Sequence, residues 1–158
     1  MNEKELTFLE RAIELSRQGM QQDNGGPFGC VVVMNDNIVG EGCNMVTSTN
    51  DPTAHAEIVA IREACKNLKT YQLDGCEVYT SCEPCPMCLG AIYWARPKRV
   101  IYANTRHDAA AAEFDDEFIY QEINTTMLQR KIPFLHQPHP LALQVFEDWK
   151  KKADRKKY

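Results

Sequence analysis

The sequence lacks any apolar run of about 18 residues, the length a membrane-crossing helix requires. Its first residues, Met1-Asn2-Glu3-Lys4-Glu5, lack the basic and apolar character of a secretory leader. These two absences predict a cytoplasmic protein with no membrane partner. Internal repeats, linkers and low-complexity blocks are also missing, so 158 residues read as a single domain, 1–158, around one core. Positive charge is scarce except at the C-terminal end. The net charge is −4, residues 150–158 contribute +5, and the rest of the chain therefore stands at −9. Residues 108–122 hold six acids and no Lys or Arg. Such a body disfavours a nucleic-acid partner, because that binding rests on Lys and Arg neutralising phosphates. Two readings of the basic end stand, a solvated helix terminus that complements its own dipole, which is favoured, and a contact for RNA.

Seven cysteines are present, yet their odd number and the absence of an export signal argue against a disulfide framework. Cys85 and Cys88 stand out as metal ligands. Cys30, Cys43, Cys65, Cys76 and Cys82 read as small fillers.

Hydrophobic periodicity outlines an α/β protein. Leu6, Leu9, Ile13 and Met20 share a helical face, which predicts a helix over 3–19. Gly25-Gly26-Pro27 breaks the chain, and Phe28 to Met34 follows as a strand buried on both sides. The turn Asn35-Asp36-Asn37 leads into a return strand at Ile38-Val39. A polar loop over 43–53 ends in Asp51-Pro52-Thr53, where Asp51 can cap a helix over 53–68 with a stripe of Ile58, Ile61, Cys65 and Leu68. A strand at 77–81, a short buried helix at 86–95 and a strand at 99–103 imply parallel pairing through a right-handed crossover. Helices are expected near 107–112, 116–123 and 141–155, with an unassigned stretch at 132–136. The architecture expected is a three-layer α-β-α sandwich.

One constellation carries the chemistry: His55-Ala56-Glu57, then Pro84-Cys85-Pro86-Met87-Cys88. A catalytic zinc takes three protein ligands and keeps one position open. His55, Cys85 and Cys88 can fill the three, which leaves Glu57 as a proton carrier beside a metal-bound water. Both halves fall at expected helix starts, where partial positive charge favours the thiolate. One neutral imidazole and two thiolates cancel the charge of the ion, and the bound water can then ionise at a pKa of about 7. Residues i and i+2 of a regular helix do not face one another, so His55 and Glu57 serve one centre only near the first turn. Two blander readings compete: a C-x-x-C redox pair, and a closed structural zinc site with Cys82 as fourth ligand. The spare carboxylate of Glu57 argues against the second.

The H-x-E…P-C-x-x-C pattern is the signature of zinc-dependent nucleobase deaminases, and here the chain resembles the cytidine-deaminase-like superfamily. That resemblance implies one zinc per subunit and a five-stranded mixed sheet. Gly25 to Gly29, Asn50 to Glu57, Tyr79 to Pro97, Phe114 to Tyr120 and the Lys-Lys-Tyr ending at Tyr158 are similar to the small bacterial guanine deaminases. The resemblance then implies hydrolysis of guanine, a small purine base, to xanthine and ammonia, with zinc-bound hydroxide attacking C2 and Glu57 moving the protons. It implies substrate contacts from Phe28, Asn44, Ala54, Asp116 or its neighbour Asp115, and Tyr158. It also implies a homodimer that exchanges the C-terminal segment, about 141–158, so that Tyr158 closes the partner's site. Competing readings are a deaminase of guanosine, tRNA adenosine or cytosine and cytidine, and a zinc-stabilised binding module without catalysis.

Overall fold

The computed structural model describes residues 1–158 and divides into two compact units, Met1–Asp116 and Glu117–Tyr158. In the first unit, helix α1 (Glu3–Gln21) precedes strands β1 (Gly29–Met34) and β2 (Asn37–Cys43). A single turn α2 (Val46–Thr49), helix α3 (Ala56–Leu68), strand β3 (Glu77–Cys82), helix α4 (Pro86–Ala95), strand β4 (Arg99–Asn104) and helix α5 (Arg106–Ala111) follow. The second unit holds α6 (Glu117–Asn124), a 3-10 turn over Met127–Gln129 and α7 (Pro140–Lys151).

The strands form one mixed sheet in the order β2-β1-β3-β4. β1 is antiparallel to both neighbours, and β3 is parallel to β4 across the α4 crossover, as expected. Alternation along β1 divides the core. Val31 and Val33 face Leu9 and Tyr79 on the α1 side, while Cys30 and Val32 face Ala56, Ala60 and Ala64 of α3. This is the three-layer sandwich. All seven cysteines are free, and Cys30 and Cys76 are buried fillers, while Cys82 is buried with its thiol hydrogen-bonded to the Thr105 carbonyl.

The sheet has four strands, not the five implied by resemblance. After β4 the chain turns at once into α5, closed by a reciprocal cap. Thr105 Oγ1 accepts from the Asp108 N–H at 3.3 Å and Asp108 Oδ2 accepts from the Thr105 N–H at 2.8 Å. The apolar stretch 132–135 forms no strand. Pro133 within it has no N–H to give a ladder.

Two helical faces are rotated from their expected positions. On α1 the buried residues are Leu9, Ala12 and Gly19, while Leu6, Ile13 and Met20 are exposed. On α3 the buried line is Ala56, Glu57, Ala60 and Ala64, with Ile61, Cys65 and Leu68 at its margin. The cause is close approach. A Cβ at Gly42 of β2 would lie 2.5 Å from the Ala56 carbonyl and 2.7 Å from the Ala60 nitrogen. Small residues face one another where helix and strand nearly touch, and the larger side chains fill the edges. Gly42→Ala is therefore expected to destabilise the fold by about 1–3 kcal/mol through overpacking, read as a lower Tm. Side chains lock the same contact: Asn67 donates to the Val39 carbonyl at 2.9 Å, and Glu63 accepts from the Glu41 N–H at 2.6 Å.

Helix α4 also departs from expectation. Cys88, Ile92 and Ala95 are buried, but Leu89, Tyr93 and Trp94 remain exposed within the chain.

The hairpin end of the sheet is ionic. Arg99 donates to Glu77 at 2.8 Å and also to Glu5, Lys98 lies 3.5 Å from Glu77, and the Tyr79 hydroxyl donates to Glu77 at 2.7 Å. These donors, Arg99 foremost, hold the Glu77 carboxyl down at about 2.

Candidate metal centre and cavity

The opposite end of the sheet brings the motif together. Asp51 does not cap α3. Its carboxylate accepts instead from the Thr53 N–H at 2.8 Å and the Thr53 hydroxyl at 2.7 Å. That local turn delays the helix to Ala56 and makes His55 the N-cap residue, extended at φ −68°, ψ 156°. Cys85 is the N-cap of α4 in nearly the same conformation, φ −63°, ψ 167°. Neither side chain is spent on capping its helix. Both are free to turn toward each other.

His55 Nδ1 lies 3.5 Å from Cys85 Sγ and 3.6 Å from Cys88 Sγ, and the donor atoms of all three residues fall within 4.8 Å of one another. Tetrahedral zinc with Zn–N near 2.0–2.1 Å and Zn–S near 2.3 Å sets N···S edges of about 3.6 Å. The donor set fits zinc in kind and in spacing. Cys82 does not join it, since its thiol donates to the Thr105 carbonyl at 3.6 Å and burial pushes its pKa up to about 11. The site is a three-donor site rather than a closed four-donor one.

Glu57 sits in the first turn of α3 and is only 6% exposed, with Oε2 accepting from the Cys88 thiol at 3.3 Å. His55 stands outside the helix and Glu57 inside its first turn, and both line one cavity despite their i, i+2 spacing. Burial raises the Glu57 pKa above the usual carboxylate range. Cys85 is held down at about 4, first by its contact with Cys88 and then by His55, while the same sulfur–sulfur contact raises Cys88. The hydrogen bond to Cys85 raises His55.

A cavity of about 370 Å³ opens over these groups and is lined by His55, Glu57 and Cys85, with Phe28, Asn44, Asp115 and Asp116 among the other walls. Asn44 is buried, and its Oδ1 accepts from the Val46 N–H at 3.1 Å, which orients the amide NH2 as the free donor. A Cβ at position 25 would lie 3.0 Å from Asn44 Cγ, so Gly25 makes room for that amide. Asp116 is half-buried and Asp115 exposed. Burial, then the charge of Cys85, raises the Asp116 pKa. Ala54 is buried behind His55 with its carbonyl taken by the Met45 N–H at 2.9 Å, and it does not line the cavity. Tyr158 belongs to the second unit and is 70% exposed.

The cavity has further walls, of which the sequence had marked Phe114, within the Phe114 to Tyr120 segment similar to guanine deaminases, but had not singled out Glu83 or Arg106. Phe114 stands edge-on to Phe28, with ring centroids 5.0 Å apart at 85°. Glu83, Glu113 and Arg106 complete a lining of five carboxylates against one guanidinium. No local pattern announces Glu83 or Arg106, which meet across 23 positions of sequence.

The fold and the donor set define a zinc-dependent deaminase. Residues 2–104 match the family model of the cytidine and deoxycytidylate deaminase zinc-binding region, and the chain belongs to that family. Among particular relatives, it is 56% identical over 152 residues to a guanine deaminase of Bacillus subtilis, which covers 96% of this chain and 97% of that one. The X-ray structure of guanine deaminase from Bacillus subtilis superposes with a TM-score of 0.95 at 55% identity, covering 100% of this chain and 99% of that one. A tRNA-specific adenosine deaminase of Buchnera aphidicola is 40% identical over 113 residues, 70% of this chain and 75% of its own.

Proposed function

We propose that the protein hydrolyses guanine to xanthine and ammonia. The observation that carries this reading is the wall chemistry: carboxylates and one oriented amide around a buried acid beside the three metal donors. Guanine presents its 2-amino group and N1–H as donors, and O6 and N7 as acceptors. Asp116 accepts from the donor edge, and the Asn44 NH2 donates to the acceptor edge. Phe28 offers the ring a stacking face, with Phe114 bracing it edge-on. His55, Cys85 and Cys88 hold one zinc per subunit, which when bound supplies Lewis-acid activation of water near neutral pH. Glu57 takes a proton from that water, passes one to a ring nitrogen and helps the 2-amino group leave as ammonia. Oxygen is added at C2, the C2–N bond breaks, and one water is consumed per ammonia released.

The five lining carboxylates also bear on the rival substrates. They suit a neutral base rich in donors and repel a phosphodiester backbone. The cavity is at the small end of the roughly 300–1,000 Å³ typical of small-molecule sites. An ammonia-release assay over guanine, guanosine, adenine, cytosine, cytidine and a tRNA anticodon stem tests the reading. Guanine is expected to react and the tRNA stem to be inert; silence with guanine sinks the proposal. Within the site, Asp116→Asn is expected to lower kcat/KM for guanine about 10–100-fold, the cost of losing a charge-assisted hydrogen bond. Asp115→Asn, at an exposed position, should stay within about threefold. Reversal of that order would exchange the two roles.

The proposal extends to a cytoplasmic homodimer in which about 141–158 is exchanged and Tyr158 closes the partner's cavity. The free cysteines suit a reducing compartment. Leu141, Leu143, Val145 and Phe146 of α7 are each more than 60% exposed in the single chain, as are Tyr93 and Trp94 of α4. Apolar surface of this extent supports a second subunit. Deleting residues 155–158 is expected to abolish turnover while zinc content stays unchanged; a fully active truncation removes the lid.

A further inference from the structure

Residues 105–116 supply one wall of the cavity through Arg106, Phe114, Asp115 and Asp116. The wall is a six-residue helix, α5, followed by irregular chain. Its starting end is gripped by two consecutive residues at the end of β3. The Cys82 thiol donates to the Thr105 carbonyl at 3.6 Å, and the Glu83 N–H donates to the Asn104 carbonyl at 2.8 Å. Glu83 Oε2 accepts from the Arg106 N–H at 3.0 Å. That N–H is the first of α5 and has no partner inside the helix. A carboxylate at this point also meets the positive end of the helix. Only Pro84, with its fixed φ, separates Glu83 from Cys85. One stiff stretch of chain therefore carries a metal donor and a grip on the recognition wall.

We propose that Glu83 is a positioning residue for substrate recognition: its carboxylate holds the 106–116 wall in register with the metal donors, so that Asp116 meets the ring over Glu57. This rests on the guanine reading above. Glu83 touches no reacting atom in this scheme, and its loss weakens capture of substrate more than the chemical step.

Four variants test the idea. Glu83→Gln keeps an acceptor oxygen and Glu83→Ala removes it. Arg106→Pro removes the N–H and leaves Glu83 and the 83–85 stretch intact, while Arg106→Ala controls for the lost side chain. Proline is tolerated at a first helical position, and Thr105, at φ −89°, ψ 166°, already has the extended backbone that a following proline demands. Glu83→Ala against wild type, and Arg106→Pro against Arg106→Ala, are expected to raise KM for guanine about tenfold with kcat within about threefold. Glu83→Gln, which keeps the acceptor and loses only the charge, should raise KM less than Glu83→Ala, and every variant should keep one zinc. By hydrogen exchange, amides of 106–116 should open faster in Glu83→Ala and Arg106→Pro, with α4 unchanged. A fall in kcat at constant KM, a glutamine variant as impaired as the alanine, or unaltered exchange over 106–116 overturns the proposal. Wild-type inactivity on guanine would instead fell the substrate reading, and the exchange experiment would still decide whether Glu83 grips the wall.

Discussion

Glu57→Gln is expected to lose turnover by about 10²–10⁴-fold, the usual contribution of a positioned acid–base group, while zinc stays at one per chain. Glutamine matches the size of glutamate, so the buried pocket in the first turn of α3 is preserved. It cannot carry a proton between water and a ring nitrogen. The loss should fall on kcat, because the groups proposed to hold the base, Asn44 and Asp116, are untouched. Metal analysis beside steady-state ammonia release checks both halves. An active Glu57→Gln enzyme would remove the proton carrier from the scheme, and zinc loss in the same variant would reassign Glu57 to holding the metal donors.

Cys88→Ala is expected to remove both metal and activity. Cys88 is fully buried beneath the cavity, and its sulfur is one corner of a donor set with N···S spacings of 3.5 and 3.6 Å. Loss of even an outer-shell partner costs about 10–100-fold in metal affinity, and loss of a direct ligand costs more. Bound metal at 1,000 times its Kd contributes about 4 kcal/mol of folding stability. The variant, and wild type stripped by a chelator, should therefore both melt several degrees lower. Added zinc should restore the stripped wild type and leave Cys88→Ala unchanged. Full zinc occupancy in Cys88→Ala would mean that another residue closes the site.

The sequence was most legible where chemistry is local. The β1–β2 turn followed from Asn35 and Asp36, which both adopt positive φ, at 50° and 62°. The crossover β3–α4–β4 followed from element order, and the metal donors from residue type. Packing at a distance was harder to read. Large apolar residues suggested the inner faces of α1 and α3, but Ala12, Ala60 and Ala64 occupy them, since small residues let backbones approach. Asp51 looked like a helix cap until Thr53 claimed its carboxylate, and this moved the helix start and released His55. Glu83 and Arg106 became site residues only once β3 and β4 lay side by side. Asp115 and Asp116 both line the cavity and differ by burial, not by type, which a sequence read one position at a time does not reveal.

The ionic end of the sheet has a practical consequence. Asn35 and Asp36 turn the chain there, beside Lys4, Glu77 and Arg99, at the far ends of the same strands whose other ends lead into Phe28 and Cys82. Anchoring the protein to a solid support through a cysteine or tag at Asn35 would load the strands away from the metal donors. Immobilisation at that hairpin should leave catalysis intact, and the ion pairs around Arg99 can be varied for durability without touching the chemistry.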